Sequence, residues 1–121
     1  MDAVIVGVKL ELKKGSSEEI YAEMARLSEA RISKQPTDMP SAGSAFKRPE
    51  GHFAAKLIDD CGLRGYSIGG AQVSEKHTGF VVNKGGARSC DIKKLLENVK
   101  EIVFDKTGVL LQPEIKFIGE D

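Results

Sequence analysis

Hydrophobic and polar positions change period several times along the chain, and each change marks an element. "AVIVGVKLEL" places Val4, Val6, Val8, Leu10 and Leu12 on one face. That strict period of two predicts a half-buried strand over 4–12, and "KKG" ends it. Ser16 followed by Glu19 has the spacing of a capping box, and Ile20, Met24 and Leu27 then form a helical stripe. The helix is expected to stop before Pro36, because the residue preceding a proline is pushed out of the helical region. Residues 36–51 hold three prolines and read as a long ordered loop. Phe53, Leu57, Ile58 and Cys61 are spaced for a short helix, with Gly62 at its C-terminal cap.

The next stretch, "LRGYSIGGAQVSEKHTGFVVNKGG", reads as irregular strands, of which "GFVVN" is the clearest. Ser89 is placed to cap the following helix, with Asp91 in its first turn. Ile92, Leu95, Leu96, Val99, Ile102 and Val103 give that helix a continuous apolar face, and Gly108 ends it. "VLLQPEIKFIG" completes the pattern as a strand, which Pro113 confines to an edge or a bulge. The expectation is an α+β fold, a small mixed or largely antiparallel sheet packed with about three helices. It forms a single domain over 34–121, with the strand and helix of 1–33 left from a preceding domain. The long apolar strand standing ahead of the others is what a chain cut from a larger protein would show. Its unpaired edge would favour self-association.

Composition narrows the chemistry. With 121 residues there is room for one domain and a usable core. Formal net charge is +0, so no long-range field favours nucleic acid or an anionic membrane, and any anion site must be local. Aromatic content of 6% without tryptophan argues against base-stacking platforms. Cys61 and Cys90 have no metal-like spacing, and reduced thiols in the cytosol are the default reading. No apolar run approaches the length of a membrane span, and the N-terminus lacks the basic leader of a signal peptide.

Three segments carry candidate chemistry. In "SAGSAFKRP", Gly43 can adopt a positive φ and display Ser44, while Arg48 offers a guanidinium fork to a phosphate and Lys47 a point charge. A solvated loop with surface cations explains the same spacing. In "GYSIGGAQVSEKHTGFVVN", Gly69-Gly70 permits close backbone approach or a bulge, and neither the dinucleotide fingerprint nor the P-loop is matched. His77 reads equally as a ligand contact or a tolerated polar residue. His52 and His77 lack the spacing of a zinc pair, so no metal is expected. In "LQPEIKF", Glu114 shares a face with Gln112 and Lys116, as a solvent face would or as a carboxyl acid near a site would.

Taken together, "PSAGSAFKRP", "HFAAKLIDDCGLRGYSIGGAQVSEKHTGFVVN" and "LLQPEIKFIGE" closely resemble the C-terminal part of the UDP-N-acetylenolpyruvoylglucosamine reductases of bacterial cell-wall synthesis. The resemblance runs from about Lys34 to the end. It implies a cytoplasmic flavoenzyme of peptidoglycan synthesis in which NADPH reduces bound FAD. The reduced flavin then passes hydride to the enolpyruvyl double bond of UDP-N-acetylglucosamine enolpyruvate, giving UDP-N-acetylmuramate. By the same resemblance Ser44 is the proton donor, and Glu114 stabilises the charge developing on the substrate carboxylate. Lys47, Arg48, Arg64 and His77 are substrate contacts, Arg48 at the diphosphate. His77 stands where some members carry glutamine. The flavin part precedes this region in the family, so no FAD or NADPH is expected on this chain, and the chain alone is expected to be inactive. The alternatives are a nucleotide-sugar-binding module without redox activity, or a fragment that serves as an interaction domain.

Overall fold

The computed structural model describes residues 4–119. Two units are formed, Met1–Arg31 and Ile32–Asp121.

The first unit differs from the alternating pattern. Residues 4–16 form neither strand nor helix, and their apolar side chains are exposed, Val6 to 97%. Alternation selects a face, but a strand also needs a neighbouring edge to bond its backbone. Among the described residues no strand pairs with this segment. The strand expected over 4–12 is therefore not formed in this chain. Helix α1 follows over Ser17–Lys34. Ser16 caps it as expected, its Oγ accepting the Glu19 N–H at 3.5 Å. The helix ends before Pro36, and Ile20, Met24 and Leu27 are exposed.

The second unit is built on a four-stranded sheet of β1 (Ser41–Ser44), β2 (Ser67–Ile68), β3 (Ala71–Val73) and β4 (Phe80–Asn83), in the order β1-β4-β3-β2. Every pairing in it is antiparallel. Strand β1 lies inside what reads from sequence as a loop. Its register against β4 shifts between Ser41 and Ser44, an irregularity that hides the alternation from a pattern search.

Helix α2 (Ala54–Asp60) ends in a Schellman turn. Gly62, at φ 74°, donates to Asp59 O at 2.8 Å, and Leu63 donates to Ile58 O at 3.2 Å. Helix α3 (Ser89–Thr107) is closed by Gly108 at φ 72°. Its cap differs from the expected Ser89. Arg88 takes the N-cap position, and its N–H donates to the Asp91 carboxylate at 3.0 Å. An acid three residues into the helix thus satisfies the amide that a serine would have left open.

The core gathers Leu95, Leu96, Val99 and Val103 of α3 with Val73, Val81, Ile58 and Leu111. The expected C-terminal strand is reduced to one antiparallel bridge, Phe46 with Pro113. Flanking it, Lys47 N–H donates to Gln112 O at 2.8 Å and Glu114 N–H to Ala45 O at 2.9 Å. Pro113 has no N–H to extend the ladder, so the segment stays extended but pairs no further. Leu111, fully buried, anchors it.

Candidate functional site at the sheet edge

Ser44 closes β1 and is exposed. Two features position it. Gly43 has φ 85°, in the region that disfavours side chains, and a Cβ there would meet nothing within 4 Å, so the requirement is conformational and not steric. After Ser44 the chain is pinned: Ala45 N–H donates to Gly79 O at 2.8 Å, and both Ala45 and Phe46 are buried. The Ser44 hydroxyl donates to Phe46 O at 3.2 Å, a long bond that a ligand acceptor can replace. Glu114 is exposed one position beyond the Phe46–Pro113 bridge. The fold therefore brings the backbones carrying Ser44 and Glu114 into pairing, although some seventy residues separate them in sequence. Beside them runs an apolar hollow lined by Ala42, Val81, Ile92, Ile115 and Phe117.

Lys47 and Arg48 line a polar groove with His52, Glu50 and Gln112. Arg48 lies over the ring of Phe53, its Cζ 4.1 Å from the centroid. Among the described residues its guanidinium has neither a carboxylate partner nor a hydrogen bond. Phe53 was expected on the buried stripe of α2. Instead it occupies the N-cap position with extended φ −114° and ψ 121°, and is 59% exposed.

Arg64 and His77 lie together elsewhere, on a shallow hollow with Lys56, Asp59 and Lys76 that shares no lining residue with the Arg48 groove. Arg64 is engaged within the chain. Its Nε and Nη2 donate to the two Asp59 oxygens at 3.0 and 2.7 Å, and Nη1 donates to Glu75 O. The hydrogen bond from Arg64 holds the Asp59 carboxyl below the usual range, and the carboxylate in turn raises Arg64. His77 Nδ1 accepts the Gly79 N–H at 3.1 Å and its ring meets Phe80 edge-on at 5.0 Å. Both residues brace the β3–β4 turn.

Sequence reasoning missed Gln112 as a groove residue and Phe53 as the ring under Arg48. The signal for Phe53 was the "PEGH" turn, which folds the chain back five residues after Arg48. His52 N–H donates to Pro49 O at 3.2 Å across Gly51, at φ 70°.

The double glycine serves packing. A Cβ at Gly69 would meet the Asp91 carboxyl at 2.7 Å, and one at Gly70 would meet Gly85 O at 2.3 Å and Ala87 N at 2.4 Å. The N-terminus of α3 and its loop fill that approach, with a carboxylate that repels phosphate. These residues do not fit a flavin diphosphate.

Among the described residues no group of three or more His, Cys, Asp or Glu is placed to hold a metal. No helix there is long and apolar enough to cross a membrane.

The pattern that defines UDP-N-acetylenolpyruvoylglucosamine reductase, C-terminal domain, matches residues 35–118. The chain belongs to that family. The unit that carries the sheet, α2 and α3 is thus a reductase C-terminal domain. The UDP-N-acetylenolpyruvoylglucosamine reductase of Lachnoclostridium phytofermentans is 56% identical over 109 residues, covering 90% of this chain and 35% of that protein. That of Caldanaerobacter subterraneus subsp. tengcongensis is 51% identical over 117 residues, 97% of this chain and 39% of that protein. The crystal structure of UDP-N-acetylenolpyruvylglucosamine reductase from Thermus caldophilus superposes with a TM-score of 0.75 at 40% identity, over 89% of this chain and 38% of that one. The chain therefore spans little more than a third of the length of the relatives it matches.

Proposed function

We propose that this domain supplies the substrate side of a UDP-N-acetylenolpyruvoylglucosamine reductase, with Ser44 as proton donor, Glu114 at the substrate carboxylate and Arg48 at the diphosphate. In this reading FAD and NADPH belong to a flavin-binding part outside the described residues. One observation carries the reading: the Glu114 N–H to Ala45 O bond joins two motif segments distant in sequence into one exposed edge, with the Arg48 groove beside it.

Reduction of the enolpyruvyl double bond adds a hydride at one carbon and a proton at the other. The residues of this chain belong to the proton half. Negative charge left on the substrate spreads into its carboxylate, beside which this reading places Glu114. The Ser44 Oγ–H bond then breaks as the new C–H bond forms, and solvent returns a proton to the alkoxide. Serine is a weak acid, but the carbanionic carbon is a much stronger base than the alkoxide it leaves. The Arg48 guanidinium suits a bidentate contact to a diphosphate oxygen pair, and Lys47 adds charge at the groove. Arg64, held by Asp59, is the weaker candidate for substrate, and His77 likewise.

Amide shifts on titration of the chain with UDP-N-acetylenolpyruvoylglucosamine test the reading. Shifts concentrated at 43–48 and 112–115 are expected. Shifts confined to the Arg64–His77 hollow would move the site there, and none at millimolar ligand would remove it from this domain.

A further inference from the structure

Arg48 differs from Arg26, Arg64 and Arg88. Those three guanidiniums face carboxylates, of Glu23, Asp59 and Asp91 respectively. Arg48 faces an aromatic ring. A carboxylate partner would occupy the N–H fork and neutralise the charge. A ring face attracts the cation through its quadrupole and consumes none of its donors, which lie in the guanidinium plane. Phe53 has no other visible employment. It is 59% exposed, so the core does not need it, and its side chain makes no cap bond to α2. The Pro49–His52 turn, with Gly51 at φ 70°, returns the chain so that the ring meets the guanidinium.

We infer that Phe53 is a positioning residue: its ring holds the Arg48 guanidinium over the polar groove, charged and with its donors open, ready for the phosphates of a nucleoside diphosphate. The inference rests on the assignment of Arg48 to the diphosphate. Fixing the long side chain in advance lowers the rotamer entropy lost on binding.

The test is titration of the 121-residue chain with UDP, monitored by amide shifts, for the wild type and for Arg48→Ala, Phe53→Leu and Phe53→Trp. Leucine keeps apolar bulk without a π face, whereas tryptophan keeps the face. Phe53→Leu is expected to weaken UDP binding about 2- to 5-fold, the scale of an exposed cation–π contact, and Phe53→Trp to preserve or tighten it. All variants should melt within a few degrees of the wild type, since the position is exposed. The Arg48 side-chain resonances should lose their ring-current shift in Phe53→Leu. If Arg48→Ala weakens binding and Phe53→Leu binds as the wild type does, the positioning role is overturned while the Arg48 assignment stands. If Arg48→Ala binds UDP as tightly as the wild type, or the wild type does not bind it at millimolar concentration, the Arg48 assignment fails and this inference with it. Equal weakening by leucine and tryptophan would also overturn it, because steric filling, not the π face, would then be what matters.

Discussion

Glu114 donates its backbone N–H to the carbonyl of Ala45 at 2.9 Å, one residue after Ser44. The bond places two chemically distinct residues on one edge through the backbone, before any side-chain preference acts. What holds it is the anchor next to it. Leu111 is fully buried, and Pro113 permits no ladder beyond the single bridge. Leu111→Ala should therefore cost about 2–5 kcal/mol, as large-to-small changes in a packed core do. It should also loosen Glu114. Urea denaturation measures the first effect, and faster hydrogen exchange at the Glu114 amide the second.

Two glycines separate conformation from space. Gly43→Ala leaves the Cβ in open space but forces a side chain to φ 85°, at a cost of about 1–2 kcal/mol. Gly70→Ala drives a Cβ into the backbone of Gly85 and Ala87, which cannot give way as a side chain does. Overpacking of this kind costs about 1–3 kcal/mol, and the β2–β3 hairpin should shift against the α3 loop. Thermal melts give both costs. Amide shifts should stay near 41–46 in the first variant and spread to 84–91 in the second.

The Asp59–Arg64 pair gives a pH dependence whose sign follows from the depressed Asp59 carboxyl. A group with a lowered folded value stabilises the native state fully above its unfolded value, and loses that contribution as pH falls through the folded value. Asp59→Asn removes the contribution at neutral pH. The stability gap between wild type and variant should narrow as the pH is lowered into and below the carboxylate range. The gap is small, because the pair is exposed. Urea midpoints across that range check it, and a gap that widens in acid would contradict the pairing.

What was legible in the sequence followed from dense periodicity. Helix α3 buries Leu95, Leu96, Val99 and Val103 as its pattern required, and "GFVVN" contains β4. The failures have physical causes. Residues 4–12 alternate, but alternation cannot supply a hydrogen-bonding partner. Phe53 fits the spacing of α2, yet the preceding turn leaves it outside the helix, beside Arg48. The Asp59–Arg64 pair crosses a Schellman turn, so neither helical nor strand spacing announces it. Ser44 and Glu114 stood out only through whole motifs. No local rule couples residues that meet through one backbone bond across most of the domain.

The Ser44→Ala substitution tests the central claim most directly, in a reductase assembled from this domain and a flavin-binding part. NADPH should reduce the assembled enzyme at an unchanged rate, because the Ser44 proton has no part in that half-reaction. Reoxidation by UDP-N-acetylenolpyruvoylglucosamine should slow by about 10²–10⁴-fold, the usual contribution of a general acid. Substrate affinity should hold, since Arg48 is untouched. Reoxidation at the wild-type rate, with chemistry shown to limit it, would contradict the assignment of Ser44 as proton donor.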